Sequence, residues 1–303
     1  MDYFEYKKSN FQLERSILQK AVRRGSVVWV EKIVLYLMAE GDSPWLKKRL
    51  FVMAYEECWP LGAEMNPKNL LDSYAKLAKS VKNKNAAGLA KLAEKFNSRD
   101  YDIPSKLSQN MKIEIQDMAK AIKNTIAFWE KVEAHENYAT AKTRILAAKD
   151  AVKKAPFNGD KAVMYAAAYL ALNGNIPLVQ PAQQKQPDEF PLWVGFDKHT
   201  DLGKEAIAKA AEAVGLNMFQ GFRLAFYIEG SACNEIYDSP YWAELVRWQL
   251  SRMEGITISK ALDYWERMKP LVIQHVQPWI DKLEERISNT KKMPDNGQLS
   301  LFP

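Results

Sequence analysis

Apolar residues recur at helical spacing along almost the whole chain. From Phe11 to Arg24 the positions Phe11, Leu13, Ile17, Leu18, Ala21 and Val22 form one stripe, the signature of an amphipathic helix. Gly25 stops it, and Ser26 can cap the next element. The stripe resumes from Val27 to Met38 with Val28, Val30, Ile33, Val34, Tyr36 and Leu37. Gly41 ends that segment. Asp42-Ser43-Pro44 opens a third helix, which runs toward Glu57 and is broken at Pro60. Turns this short predict antiparallel neighbours.

The pattern continues past Asn66-Pro67. Helices are predicted over 70–81 and 86–96, separated by Asn83-Lys84-Asn85, then over Lys112–Val132 and Tyr138–Lys154. Asp160–Asn173 is alanine-rich and suits close helix packing. Four prolines and a glutamine-rich run between Gly174 and Pro191 predict a linker or exposed loop. Leu192-Trp193-Val194-Gly195-Phe196 is the best strand-like piece. Helical spacing returns over 202–214, 219–227, 241–253 and 258–287, where Pro270 and Pro278 are expected to kink or split the last helix. Trp242, Trp248, Trp265 and Trp279, with Tyr241 and Tyr264, fit core positions of these helices. The expected fold is all-α, a multi-helix bundle of one or two subdomains with a flexible C-terminal tail. Its divisions are a helical domain (1–175), a linker or loop (176–191), a second helical region (192–289) and the tail (290–303).

With 303 residues, 47% of them hydrophobic, the chain can bury a substantial core. Cys58 and Cys233 lie far apart without CxxC spacing. That argues against a disulfide framework or structural zinc and fits a reducing cytoplasm. The first residues lack the order of a signal peptide, and no apolar run approaches eighteen residues, so no membrane partner is expected. Charge changes the picture more. Between Lys76 and Lys154 there are 17 Lys/Arg against 9 Asp/Glu, an excess larger than the whole chain's +6. Such a segment suits phosphate contact, with Lys76, Lys79, Lys82, Lys84, Lys91, Lys142, Arg144, Lys149, Lys153 and Lys154 as candidates. A solvated lysine-rich helix surface would give the same pattern. Lysine far outnumbers arginine there, which favours backbone contact over base reading.

The last residues carry the sharpest signal. Gln298-Leu299-Ser300-Leu301-Phe302 follows Pro294, which cannot continue a helix, and Asn296-Gly297, which favours a turn. Leu301 and Phe302 suit an apolar groove at about 1.5–3 kcal/mol each if fully buried. Gln298 can fix register through an amide that donates and accepts. The five residues resemble the clamp-binding peptide of bacterial replication and repair proteins. That resemblance implies the DNA polymerase sliding clamp as partner, and a fixed pentapeptide arises by chance in roughly one such chain in ten thousand.

The first sixty residues carry a second resemblance. Ser16-Ile17-Leu18-Gln19-Lys20-Ala21-Val22-Arg23-Arg24-Gly25 is followed by Ala39-Glu40-Gly41-Asp42-Ser43-Pro44, Lys48-Arg49-Leu50 and Ala54-Tyr55-Glu56-Glu57-Cys58-Trp59-Pro60-Leu61-Gly62. Across 11–65 this is similar to the C-terminal helical domain of the RarA/MgsA replication-associated recombination ATPases. The resemblance implies a helical, oligomer-forming body at the replication fork. It departs from the family in having no G-x-x-x-x-G-K-[ST] phosphate loop, so neither ATP hydrolysis nor a nucleotide cofactor is implied.

One run is a candidate for chemistry. Asp197, His199 and Asp201 alternate, so an extended backbone would put them on one face, where they could hold a metal or assist a general base. Against that, Thr200 or Asp201 suits the N-cap of the next helix, and Asp197 can fix the loop. Three histidines in all exclude a His-rich centre. The expected function is a non-enzymatic accessory protein of replication or repair that binds the clamp, contacts DNA and forms homo-oligomers in the cytoplasm. The alternatives are a clamp-blocking inhibitor of host replication and a metal-dependent DNA-processing enzyme.

Overall fold

The computed structural model describes residues 11–174, 176–183, 190–253 and 255–289. Its described residues form thirteen helices and no strand. The first three are α1 (Gln12–Arg23), α2 (Val27–Ala39) and α3 (Ser43–Cys58), the last running into a 3-10 turn at Trp59–Glu64. They follow the hydrophobic pattern closely because each boundary has a local cause. Gly25 adopts φ 70°, and the amides of Gly25 and Ser26 return to the carbonyls of Val22 and Ala21. That left-handed closure is open to glycine without steric cost. Arg15 then grips Asp42 with two bonds of 2.8 and 2.6 Å and lies over the Trp45 ring, fixing α1 against the start of α3.

The middle of the chain adds α4 (Leu70–Ala78), α5 (Asn85–Asn97), α6 (Gln109–Lys123), α7 (Thr125–Glu133), α8 (Tyr138–Lys154) and α9 (Asn158–Leu172). Alanine makes their packing close: Ala162, Ala166, Ala167, Ala168 and Ala171 are all buried. After a 3-10 turn at Leu192–Gly195 come α10 (Asp201–Ala213), α11 (Met218–Leu224), a π-helical turn at Ala225–Gly230, α12 (Pro240–Ser251) and α13 (Ile258–Ser288). One continuous set of buried residues, from Leu13 to Ile287, runs through both halves. No described helix is long and apolar enough to cross a membrane.

Four expectations need correction. The single helix expected over Lys112–Val132 is two, α6 and α7, divided at Asn124, whose side chain caps the second. Leu192–Phe196 is not extended: Val194 and Phe196 donate to the carbonyls of Pro191 and Trp193, and Gly195 is pressed against Ile17. The tight turn buries Val194, Gly195 and Phe196 in succession, which the two-fold alternation of a strand would not do. Pro270 and Pro278 neither split nor end α13, which is one 31-residue helix. Both prolines are exposed, so water can satisfy the carbonyls they leave free, while Ala261, Trp265, Met268, Val272 and Val276 hold the buried stripe. The proline-rich segment is not wholly a free linker. Val81 donates to Gln180 and Ala182 to Lys79, while on the other edge Lys82 donates to Glu235 and Tyr237 to Lys82. Residues 79–82 are thereby held between two extended pieces of the later chain.

The halves also meet where α5 crosses α12. A side chain at Gly88 would put its Cβ 2.4 Å from the Trp242 nitrogen and 2.5 Å from the Tyr241 carbonyl carbon. Backbone cannot yield as a flexible side chain can. Gly88→Ala is therefore expected to cost about 1–3 kcal/mol or more, read as a lower thermal midpoint by circular dichroism. Gly159→Ala, which meets only the Glu94 carboxylate at 3.6 Å, is expected to be neutral or mildly stabilising.

Candidate functional site

Helix α1 carries two cations, Lys20 and Arg23, on its buried stripe, and Arg24 follows it directly. Ser16, Lys20 and Arg23 recur at i, i+4 and i+7, so they face inward with Leu13 and Ile17. A buried charge must find a partner or lose its charge, and each of these finds one on a different part of the chain. Arg23 donates from Nε to Glu57 Oε1 at 2.5 Å and from Nη1 to the Gly230 carbonyl at 2.8 Å. The other oxygen of Glu57 accepts from Lys84 Nζ at 2.8 Å, and the same ammonium sits 4.2 Å from the Trp242 ring centre. Lys20 donates to Ser16 Oγ at 2.8 Å and to Asp197 Oδ2. Arg24 reaches Glu229 Oε1 at 2.7 Å, and Glu229 Oε2 accepts from Trp265 Nε1 at 3.2 Å.

Glu57 is the centre of this network. Its side chain is 1% exposed, as is that of Lys84. Burial alone would raise its pKa, but Arg23 and Lys84 override it and hold the carboxyl at about 2. Asp197 behaves alike: burial opposes its charge, and Lys20 holds it below the usual carboxylate range. Lys82, also 1% exposed, spends its ammonium on the carbonyls of Leu77, Ala78 and Ser80. Burial depresses its pKa to about 8.

The residues singled out from sequence are distributed differently than expected. Asp197, His199 and Asp201 do not share a face. Asp197 turns inward to Lys20 and accepts the His199 amide at 2.8 Å, His199 is exposed, and Asp201 begins α10 beside Lys204 at 3.5 Å. Thr200 is the N-cap, accepting from the Gly203 amide. The segment turns where the alternation argument required extended backbone. Among the described residues no group of three His, Cys, Asp or Glu is arranged to hold a metal ion.

The basic candidates divide too. Lys82 and Lys84 are interior residues, engaged as described, so a phosphate cannot reach them. Lys76 pairs with Glu64 at 2.5 Å, Lys149 with Glu133 at 2.5 Å, and both Lys153 and Lys154 with Asp150 at 3.9 and 2.5 Å. Lys79 and Lys142 are exposed, Arg144 is half-buried, and half-buried Lys91 lies 6.0 Å from the Trp242 ring centre. The peptide Gln298–Phe302 lies outside the described residues.

Sequence reasoning missed Glu229, Phe226 and Tyr227, which the π turn brings to the same region. Arg23 and Lys20 did have a signal: cations in phase with an apolar stripe, beside a motif containing adjacent glutamates. Comparison with family models, curated proteins and solved structures finds no match. What the network does is join α1, α3, the segment before α5 and the π turn around one carboxylate.

Glu57→Gln removes that carboxylate and leaves Arg23 and Lys84 buried without their anion. The expected loss is about 3–5 kcal/mol, measured by urea denaturation near neutral pH. The pH dependence has a definite sign. Glu57 titrates near 4.5 ordinarily and about 2 in the fold, so its contribution is complete above about 4.5 and is lost as pH falls toward 2. The stability gap between wild type and Glu57→Gln should shrink across that window.

Proposed function

We propose that this protein is a non-enzymatic accessory factor of DNA replication or repair, brought to DNA by its tail. The observation that carries the reading is the unbroken match of Gln298-Leu299-Ser300-Leu301-Phe302 to a clamp-binding peptide, following a helix that ends at Ser288. Residues 289–297 can extend roughly 30 Å, so the peptide can occupy a groove without the helical body touching the clamp. A free peptide of this size suits micromolar affinity, near −8 kcal/mol.

The resemblance of 11–65 to a RarA/MgsA oligomerisation domain supports the same address. In this chain the residues bearing that resemblance include Lys20, Arg23, Arg24, Asp42, Arg49 and Glu57. All of them are engaged in ion pairs within the body. On this reading they hold the body's shape, and outer surfaces are left for self-association. If several copies assemble, their tails engage a multi-groove ring with an avidity well above that of one peptide. The exposed cations Lys79 and Lys142 remain available for phosphates. The engagement of Asp197 with Lys20 speaks against the metal-dependent alternative.

Leu301→Ala and Phe302→Ala should each weaken capture by a bacterial sliding clamp about 10- to 100-fold, from the apolar burial each removes. Deleting 298–303 should abolish capture. Full capture by the deleted chain would remove the basis of the reading. Adding the intact protein to clamp-dependent DNA synthesis separates helper from blocker by whether synthesis survives.

A further inference from the structure

The π turn faces two ways. Inward, Glu229 and the Gly230 carbonyl receive Arg24 and Arg23. On the opposite side Phe226 and Tyr227, both half-buried, pack edge to face with ring centres 4.9 Å apart. The exposed His199 ring meets Phe226 at 6.1 Å, also edge-on. Lys198 projects its ammonium over these rings, 4.2 Å from the centre of Phe226 and 5.9 Å from that of Tyr227. Its neighbour Asp197 is turned away to Lys20. No carboxylate lies within ion-pairing distance of Lys198 among the described residues. Arg223 sits one helical turn before Tyr227 and is anchored through Nη1 to the Gln249 carbonyl at 3.0 Å.

Lys198 therefore has aromatic faces for company where most lysines of this chain's core have an anion. Burial pushes it below the usual lysine range. Asp197 opposes that, and the like charges of Lys91, Arg223 and Lys20 add to it. His199 is lowered as well, by burial first and then, against Asp197, by Lys198, Lys20 and Lys91. Asp197, the carboxylate that acts on both groups, is already bonded to Lys20, so these crowded cations still gain from an incoming anion. Rings beside them add a surface for a planar group. π turns within α-helices are frequent at functional sites, and this one sets the rings next to the lysine.

We propose that Lys198 and His199, backed by Phe226 and Tyr227, bind one phosphate and an adjacent unstacked base of single-stranded nucleic acid. A lysine reads phosphate as a point charge, and a ring accepts any base face, which gives binding without sequence preference. A duplex hides its base faces and cannot use the rings. The biological setting rests on the clamp-directed reading above, but the site itself needs no clamp.

The test is fluorescence anisotropy of a labelled oligothymidylate against the full chain across a salt series. Lys198→Gln should lower the affinity about tenfold and reduce the salt slope by about 0.7, the value of one single-strand phosphate contact. His199→Ala should weaken binding about 5-fold or more with the slope unchanged. Duplex DNA should bind more weakly and be less affected by His199→Ala. In the intact protein the His199 ring resonances should shift as oligonucleotide is added, which gives a readout free of any folding defect in a variant. Equal affinity and slope for Lys198→Gln, or an unmoved His199 ring, overturns the proposal. So does a loss found only with Lys142→Gln on α8. Saturation by uridine monophosphate alone would also overturn it, by making the ligand a free nucleotide. Oligonucleotide binding retained after deletion of 298–303, and clamp capture retained by Lys198→Gln, keep this proposal and the clamp reading separately testable.

Discussion

One buried carboxylate, Glu57, receives Arg23 from one side and Lys84 from the other. The rest of the molecule is arranged around that contact. Through Arg23 it reaches the Gly230 carbonyl, and through Lys84 it reaches the Trp242 ring, so helices distant in sequence share one charge centre. Buried ion pairs are poor sources of net stability, because desolvation offsets most of the attraction. Their geometric demand is strict, however. Both oxygens of Glu57 are committed, so α1, α3, the start of α5 and the π turn converge on this one centre.

That constraint has consequences at the surface. Inward-facing Glu229 and Gly230 hold the π turn, and the turn then presents Phe226 and Tyr227 beside Lys198 and His199. The same segment thus serves the interior on one side and offers cations and rings on the other. The tail is a separate device. On the proposed reading it supplies location, while the helical body supplies whatever contact follows.

Much of the helical order was readable because each element had a local cause. Leu13, Ile17 and Val22 mark the stripe of α1, Gly25 closes it, and Thr200 caps α10. The failures were places where distant contacts override local pattern. Leu192–Phe196 has strand-like residues, but consecutive burial of Val194, Gly195 and Phe196, with Gly195 against Ile17, requires a tight turn. Pro270 and Pro278 are expected to kink or split their helix, yet both fall on the solvent side of α13 and do not split it. The site was less legible than the fold. Lys82 and Lys84 look like members of a basic surface run, and only tertiary structure shows them enclosed. Asp197 and His199 alternate in sequence, but a backbone turn sends one to Lys20 and the other to the surface. Nothing local marks Phe226 or Tyr227, since a π turn depends on what its inner side chains must reach.

The proposed role depends first on where Gln298–Phe302 binds. The direct measurement is competition: a fluorescent copy of that peptide is bound to a bacterial sliding clamp, and the unlabelled full-length protein is titrated in. Displacement is expected with an inhibition constant at or below the micromolar range of the free peptide. The chain lacking 298–303 should displace nothing. A labelled peptide that never binds the clamp, or one displaced equally well by the shortened chain, would contradict the proposed role.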